Sequence, residues 1–172
     1  MAVLIRAANF AASFHRDQRR KDHAGSPYIN HPLALADLLL NEAGVADLDI
    51  LVAALLHDTL EDTDATSAEI EAVFGASVRS IVEEVSDDMT LARAVRKRLQ
   101  IERAPQLSPA ARAVKLADKT CNLRDVLVCP PAGWSLQRCR EYFDWANAVI
   151  DGLRGEHARL EALFDEVYRL RP

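Results

Sequence analysis

The sequence predicts an all-α fold, on three observations. Apolar residues recur at three- and four-residue spacing through nearly every segment, no stretch alternates with period two, and no Asn-Gly hairpin signal separates the segments. The 172 residues are 49% hydrophobic and 27% charged, a globular mixture that excludes wholesale disorder and fits one domain over 1–172. A single helical bundle of about 8–10 helices is expected.

The elements follow in order. Leu4, Ala7, Ala8, Ala11, Phe14 and Gln18 fall at helical spacing and predict a first helix over 3–19. Gly25 and Pro27 make the next stretch a loop. Pro32 suits the first turn of a second helix, which Leu35, Leu38 and Leu39 carry to Glu42 before Gly44 ends it. Asp47 caps a third helix through ILVAALLHDTL, apolar on nearly every side until His57 and therefore central. Asp64 or Thr66 caps a short helix ending at Gly75, and two more cover 76–86 and 91–104. Ser108-Pro109 starts a long helix that runs to Pro130-Pro131, Ser135 opens another to Gly152, and the last covers 156–170.

Charge and composition narrow the function. With 21 Lys+Arg against 26 Asp+Glu the net charge is −5, which argues against general nucleic-acid binding, since phosphate neutralisation needs a basic excess. Apolar runs such as 51–56 are far short of the ~20 residues of a membrane span. The apolar start carries Arg6 and flows into a basic segment, so it reads as an amphipathic helix rather than a secretory signal. Cys121, Cys129 and Cys139 form an odd set with no CxxC pair, as expected of reduced thiols in a cytoplasmic protein.

The informative feature is where polar residues intrude on apolar faces. His57 and Asp58 directly follow a segment without polar side chains, and on a continuous helix they would face Glu61 and Asp62. One reading is a solvated acidic turn with His57 a satisfied core histidine. Charge placement weakens it: Asp58, Glu61, Asp62, Asp64, Glu69 and Glu71 occupy 57–71 with no Lys or Arg, and carboxylates at a helix C-terminus oppose its dipole. A divalent ion would compensate them, and mixed His and carboxylate ligands suit Mn²⁺, Fe²⁺ or Zn²⁺. Asp118 interrupts a second apolar stripe with Val114 and Asn122, either as a ligand or as a buried acid paired with Lys115 or Arg124. His31, at the helix start before Pro32, is the remaining nitrogen ligand; His15, His23 and His157 fall on helix surfaces or loops. Basic segments at Arg16, Arg19, Arg20, Lys21 and at Arg93, Arg96, Lys97, Arg98, Arg103 are either solvated faces or the flanks of a site for a phosphate-rich small substrate. No Gly-rich phosphate loop, GxSxG or HExxH is present.

The series His31…His57-Asp58…Asp118 resembles the H…HD…D signature of the HD-domain phosphohydrolases. The strings RRKDHAGSPYINHP, AALLHDTLEDT, VKLADKTCNLRD and GWSLQRCREYFDWA resemble the (p)ppGpp hydrolase domain of the Rel/Spo proteins, and most closely its free-standing small alarmone hydrolase form, from about 7 to 170. The resemblance implies that His31, His57, Asp58 and Asp118 hold one divalent ion, Mn²⁺, and that Glu61 and Asp62 handle the attacking water and proton transfer. It implies that Arg20 and Lys21 contact base and phosphates and that Asn122 and Tyr142 lie around the sugar; Lys97 is a further candidate for a substrate contact. The implied partner is guanosine tetra- or pentaphosphate, cleaved at the 3′-pyrophosphate to GDP or GTP, with no membrane or nucleic acid and with homo-oligomerisation left open. Met89 stands where a Lys is expected, the loop DHAG at 22–25 is this chain's own, and nothing resembles a synthetase half. Two rival outcomes are another HD phosphohydrolase activity on a nucleotide or NADPH phosphate, and a non-catalytic ppGpp-binding module, for which the acidic pair would be superfluous.

Overall fold

The computed structural model describes residues 1–172 and is built from helices. They are α1 (Ala2–Phe14), α2 (Asn30–Asp37), α3 (Leu48–Leu56), α4 (Thr59–Asp62), α5 (Ser67–Phe74), α6 (Ala76–Val85), α7 (Arg93–Arg103), α8 (Pro109–Val128), α9 (Leu136–Asp151) and α10 (Ala158–Tyr168). A π-type turn over Leu38–Glu42 extends α2, and a 3₁₀ turn over Ala104–Gln106 follows α7. The only strand-like pairing is an isolated bridge between Arg19 and Pro27. No helix is long and apolar enough to cross a membrane, and all three cysteines are free thiols.

Local chemistry explains where the helices begin. The Asp47 carboxylate accepts from the Asp49 and Ile50 amides, and the Ser108 and Ser135 hydroxyls accept from amides three residues on. Thr66 and Glu69 form a reciprocal capping box at the start of α5.

Two helices form the frame. Every residue of α3 from Ile50 to Leu56 is buried, and α1, α2, α6 and α8 surround it. The 20-residue α8 packs on α2, α3, α6, α9 and α10. Both contribute to one core of 36 buried residues, with Leu35, Leu56, Leu116, Leu123, Phe143 and Phe164 fully enclosed. Each such side chain contributes ~1.5–3 kcal/mol on burial, so α3 and α8 are held rigidly against each other. By contrast α7 buries no residue. It is pinned by the Trp145 indole donating to the Lys97 carbonyl at 3.0 Å and by Gln100 donating to Asp87 at 2.7 Å.

Two predicted boundaries are corrected. The first helix stops at Phe14, not 19: the chain turns at His15–Asp17, and residues 18–28 fold back through Arg20 N–H to the Ser26 carbonyl (2.8 Å) and Tyr28 N–H to the Gln18 carbonyl (3.3 Å). The third helix does not continue through HDTL. It ends at Leu56 because side chains take its last carbonyls, His57 Nδ1 donating to Ala54 at 2.8 Å and Thr59 to Leu56 at 2.6 Å. Asp58 then adopts φ −97°, ψ −2°, the sparsely populated bridge region common in active sites, before α4 begins.

Candidate metal centre

Three separate elements deliver the site. His31 sits in the first turn of α2, His57 and Asp58 form the break between α3 and α4, and Asp118 lies mid-way along α8. His31 Nε2 is 3.2 Å and His57 Nε2 3.8 Å from Asp118 Oδ1, and the two imidazoles stand 5.2 Å apart. His31, His57 and Asp118 are all buried and offer donor atoms within 4.8 Å of one another. Asp58 lies beside that set, its Oδ2 2.9 Å from His57 Nε2.

The donor set fits a cation. His57 Nδ1 is spent on the Ala54 carbonyl, so in the neutral ring Nε2 is a lone pair. That buried Nε2 has no hydrogen-bond partner and faces two carboxylates. A lone pair aimed at anionic oxygens is repulsive unless a proton or a metal ion sits between them. The Nδ1–H to carbonyl bond is also the arrangement that orients a metal-ligating histidine.

The electrostatics agree. Burial disfavours the His57 imidazolium, but the Asp58 and Asp118 carboxylates outweigh it and raise the ring to about 9. Burial likewise opposes ionisation of Asp118, yet Lys119 and His31 hold it well below the usual carboxylate range. Lys119 Nζ bonds Asp118 Oδ2 at 2.9 Å and also lies 4.8 Å from the Trp145 ring. The Asp118 counter-ion is therefore Lys119, not Lys115 or Arg124. Lys115 instead donates to the Val85 carbonyl at 2.7 Å, and Arg124 pairs with Glu42 at 2.6 Å.

The acidic pair diverges. Glu61 lines the metal pocket, a cavity of about 170 Å³, and accepts from the Asp87 amide at 2.7 Å. Burial, then the Asp58 charge, pushes Glu61 up to about 7. Asp62 lines the neighbouring cleft of about 730 Å³ and lies 3.3 Å from the Tyr28 hydroxyl; burial and Asp58 raise it too. The expected facing of His57 with Glu61 on one continuous helix gives way to a break, and beyond it Glu61 and Asp62, adjacent residues on different faces of α4, line different chambers.

The cleft gathers most of the candidate substrate residues. Arg20, Lys21, Asn122 and Tyr142 line it, with Arg93 and Trp134, and its volume falls in the ~300–1,000 Å³ range of small-molecule sites. Arg20 is ion-paired to Asp125 and lies 5.7 Å from the Tyr28 ring centroid. Asn122 donates to Asp118 Oδ1 at 2.6 Å. Tyr142 stands between Trp134 and Trp145, each 5.3 Å away. Lys97 does not line the cleft: its ammonium sits behind Tyr142, 4.4 Å from the Trp145 ring. Met89 is exposed, with the Arg96 guanidinium against its sulfur. His15, expected on a surface, is buried and stacked on Tyr28 at 4.7 Å. Tyr28 and Lys119 were not singled out by spacing. Lys119 neighbours Asp118 in sequence, and adjacent helical residues do not normally face each other.

The sequence profile of the HD domain matches residues 7–140. The chain belongs to the HD-domain family. Human MESH1, named guanosine-3′,5′-bis(diphosphate) 3′-pyrophosphohydrolase, is 55% identical over 170 residues, 99% of this chain and 95% of the human protein. The Drosophila melanogaster protein of the same name is 47% identical over the same shares. A solved structure described as a metazoan ortholog of SpoT that hydrolyzes ppGpp and plays a role in starvation responses superposes with a TM-score of 0.96 at 47% identity, covering 99% of this chain and 96% of that one. HD-domain hydrolases are metal-dependent, and in this chain the candidate site is the His31–His57–Asp118 set.

Two outcomes are expected of this HD-domain chain. A divalent ion at 100 times its Kd should raise the unfolding free energy by about 2.7 kcal/mol, seen as a rise in Tm with Mn²⁺ that His57→Ala and Asp118→Ala abolish. A full shift in Asp118→Ala would contradict the ligand set. The second outcome concerns Glu61 in metal-free protein. A carboxyl with a folded pKa above its unfolded value holds a proton on folding, so its favourable contribution is present at low pH and lost as pH rises from 4.5 to about 7. Glu61→Gln should therefore gain stability relative to wild type between pH 5 and pH 8 in urea titrations; a pH-independent difference would contradict this environment.

Proposed function

We propose that this chain hydrolyses the 3′-pyrophosphate of guanosine 3′,5′-bis(diphosphate), taking ppGpp or pppGpp to GDP or GTP and pyrophosphate. The observation that carries the reading is the junction of two chambers: a metal-directed pocket opens beside a cleft walled by cations and aromatic rings, with Arg20, Tyr28, His31 and Asn122 on both walls. Such a junction suits a nucleoside whose phosphate end enters the pocket. The guanosine and the 3′ position are those named for the relatives.

His31, His57, Asp58 and Asp118 would hold Mn²⁺. Bound there, the ion supplies a Lewis acid that acidifies water and neutralises phosphoryl charge. The protein's own groups do the rest. Glu61, in the pocket and raised toward neutrality, takes the proton of the attacking water. A new P–O bond forms as the P–O3′ bond breaks, and Asp62, on the cleft side, returns a proton to the ribose O3′. Lys119 keeps Asp118 ionised, and Lys115 places a second buried cation in the same pocket. Arg20 and Lys21 meet base and phosphates, Asn122 and Tyr142 border the sugar, and Lys97 acts through Tyr142 and Trp145 rather than on the nucleotide.

Purified protein with Mn²⁺ and ppGpp should yield pyrophosphate and GDP in equal amounts, read by pyrophosphate- and phosphate-specific assays on one reaction. Orthophosphate as the first product would overturn the reading in favour of a general HD phosphatase. Glu61→Gln and Asp62→Asn should retain the Mn²⁺-induced rise in Tm while losing ~10²–10⁴-fold in turnover, the scale of acid–base removal.

A further inference from the structure

Tyr28 occupies a position that no step above uses. Its hydroxyl donates to Asp58 Oδ2 at 2.5 Å and lies 3.3 Å from Asp62 Oδ2. Those carboxylates bracket α4, the short turn on which both acids of the proposed reaction stand. Its backbone is equally placed: the Tyr28 carbonyl accepts from His31 N–H at 3.0 Å, at the entry to α2, while its own N–H donates to the Gln18 carbonyl. One residue therefore meets the helix that brings His31, the break that brings Asp58, and the carboxylate of Asp62.

The ring is itself held. His15 is 3% exposed and stacks on Tyr28 with centroids 4.7 Å apart and planes 23° from parallel. His15 Nδ1 lies 2.7 Å from Gln18 Oε1, and the Gln18 amide donates to the Asp62 carbonyl. The end of α1, the loop before α2 and the last residue of α4 are thus tied into one unit around the phenol. A buried imidazole is costly without such partners, and a role in fixing Tyr28 accounts for its burial. Phenylalanine at 28 would keep the stack and the wall of the cleft but leave Asp58 Oδ2 without its donor.

We propose that Tyr28 is a positioning residue of this enzyme: its hydroxyl fixes the orientation of Asp58 and Asp62, and the His15 ring fixes the hydroxyl. The inference rests on the function proposed above for its catalytic consequence, but not for its effect on metal binding. Hydrogen-bond partners of ligating side chains typically contribute 10–100-fold to metal affinity or activity.

The test is Tyr28→Phe, which deletes only the O–H. Calorimetric titration with Mn²⁺ alone should show affinity lowered by ~10-fold or more, and kcat on ppGpp should fall ~10–100-fold. The KM should stay within about twofold of wild type, because the ring that faces the cleft remains, and the metal-free Tm should fall only modestly, since one donor to a buried carboxylate is lost. His15→Phe, which keeps a stacked ring, should stay near wild type, while His15→Ala should reproduce part of the Tyr28→Phe loss. Wild-type Mn²⁺ affinity and kcat in Tyr28→Phe would overturn the proposal, as would a loss confined to KM or to thermal stability. If wild-type protein left ppGpp intact, the proposed function would fall, yet the Mn²⁺ titration would still decide the role of Tyr28.

Discussion

The convergence of His31, His57 and Asp118 in a pocket between apolar helices is the constraint on which the rest of the structure depends. Carboxylates and imidazoles drawn out of water carry a desolvation cost of several kcal/mol per ion unless opposite charge is supplied. Lys119 supplies it for one oxygen of Asp118. The other oxygen faces the imidazoles of His31 and His57, and the buried His57 Nε2 is left without a hydrogen-bond partner. With the neutral rings that metal ligation requires, the cluster lacks a positive charge that a divalent ion would supply.

The scaffold holds that cluster open. Because α3 is packed among α1, α2, α6 and α8, its end is fixed in place, and the Nδ1 bond to the Ala54 carbonyl orients the His57 ring toward the pocket. Because the His57 and Thr59 side chains satisfy the last carbonyls of α3, the helix can break there at little cost. Beyond the break, Glu61 and Asp62 stand side by side on α4, about 100° apart around its axis, so one faces the pocket and the other the cleft. Around this rigid floor, the cleft wall is assembled from α7, α8, α9 and the segment after α1, and α7 is held mainly by polar contacts.

Much of this was legible in the sequence, for identifiable reasons. The starts of α3, α5, α8 and α9 were readable because Asp47, Thr66, Ser108 and Ser135 act on amides two or three residues away. His57 and Asp118 stood out because each is a polar residue on an otherwise apolar face, and His31 as the remaining nitrogen ligand at the start of a helix. The stripe of Val114, Asp118 and Asn122 followed from helical spacing and is realised in the Asn122–Asp118 hydrogen bond. What spacing could not reveal depends on distant segments meeting. Tyr28 and His15 find each other and Asp58 only through tertiary packing, so His15 looked like a surface residue and Tyr28 like a loop residue. The break at His57–Asp58 was hidden because the segment ILVAALLHDTL has no Gly or Pro to announce it. The overrun of the first helix has the same origin, since Arg16, Gln18 and Arg19 are good helix formers in a segment recruited instead by the Tyr28 loop.

Pulsed electron paramagnetic resonance of the Mn²⁺-loaded protein tests the central claim most directly, since it detects nitrogen coupled to the ion. The proposed His31–His57–Asp118 site predicts one bound Mn²⁺ per chain with couplings from two imidazoles, reduced to one in His31→Ala. A tightly bound Mn²⁺ with no nitrogen coupling, or an unchanged spectrum in His31→Ala and His57→Ala, would contradict it.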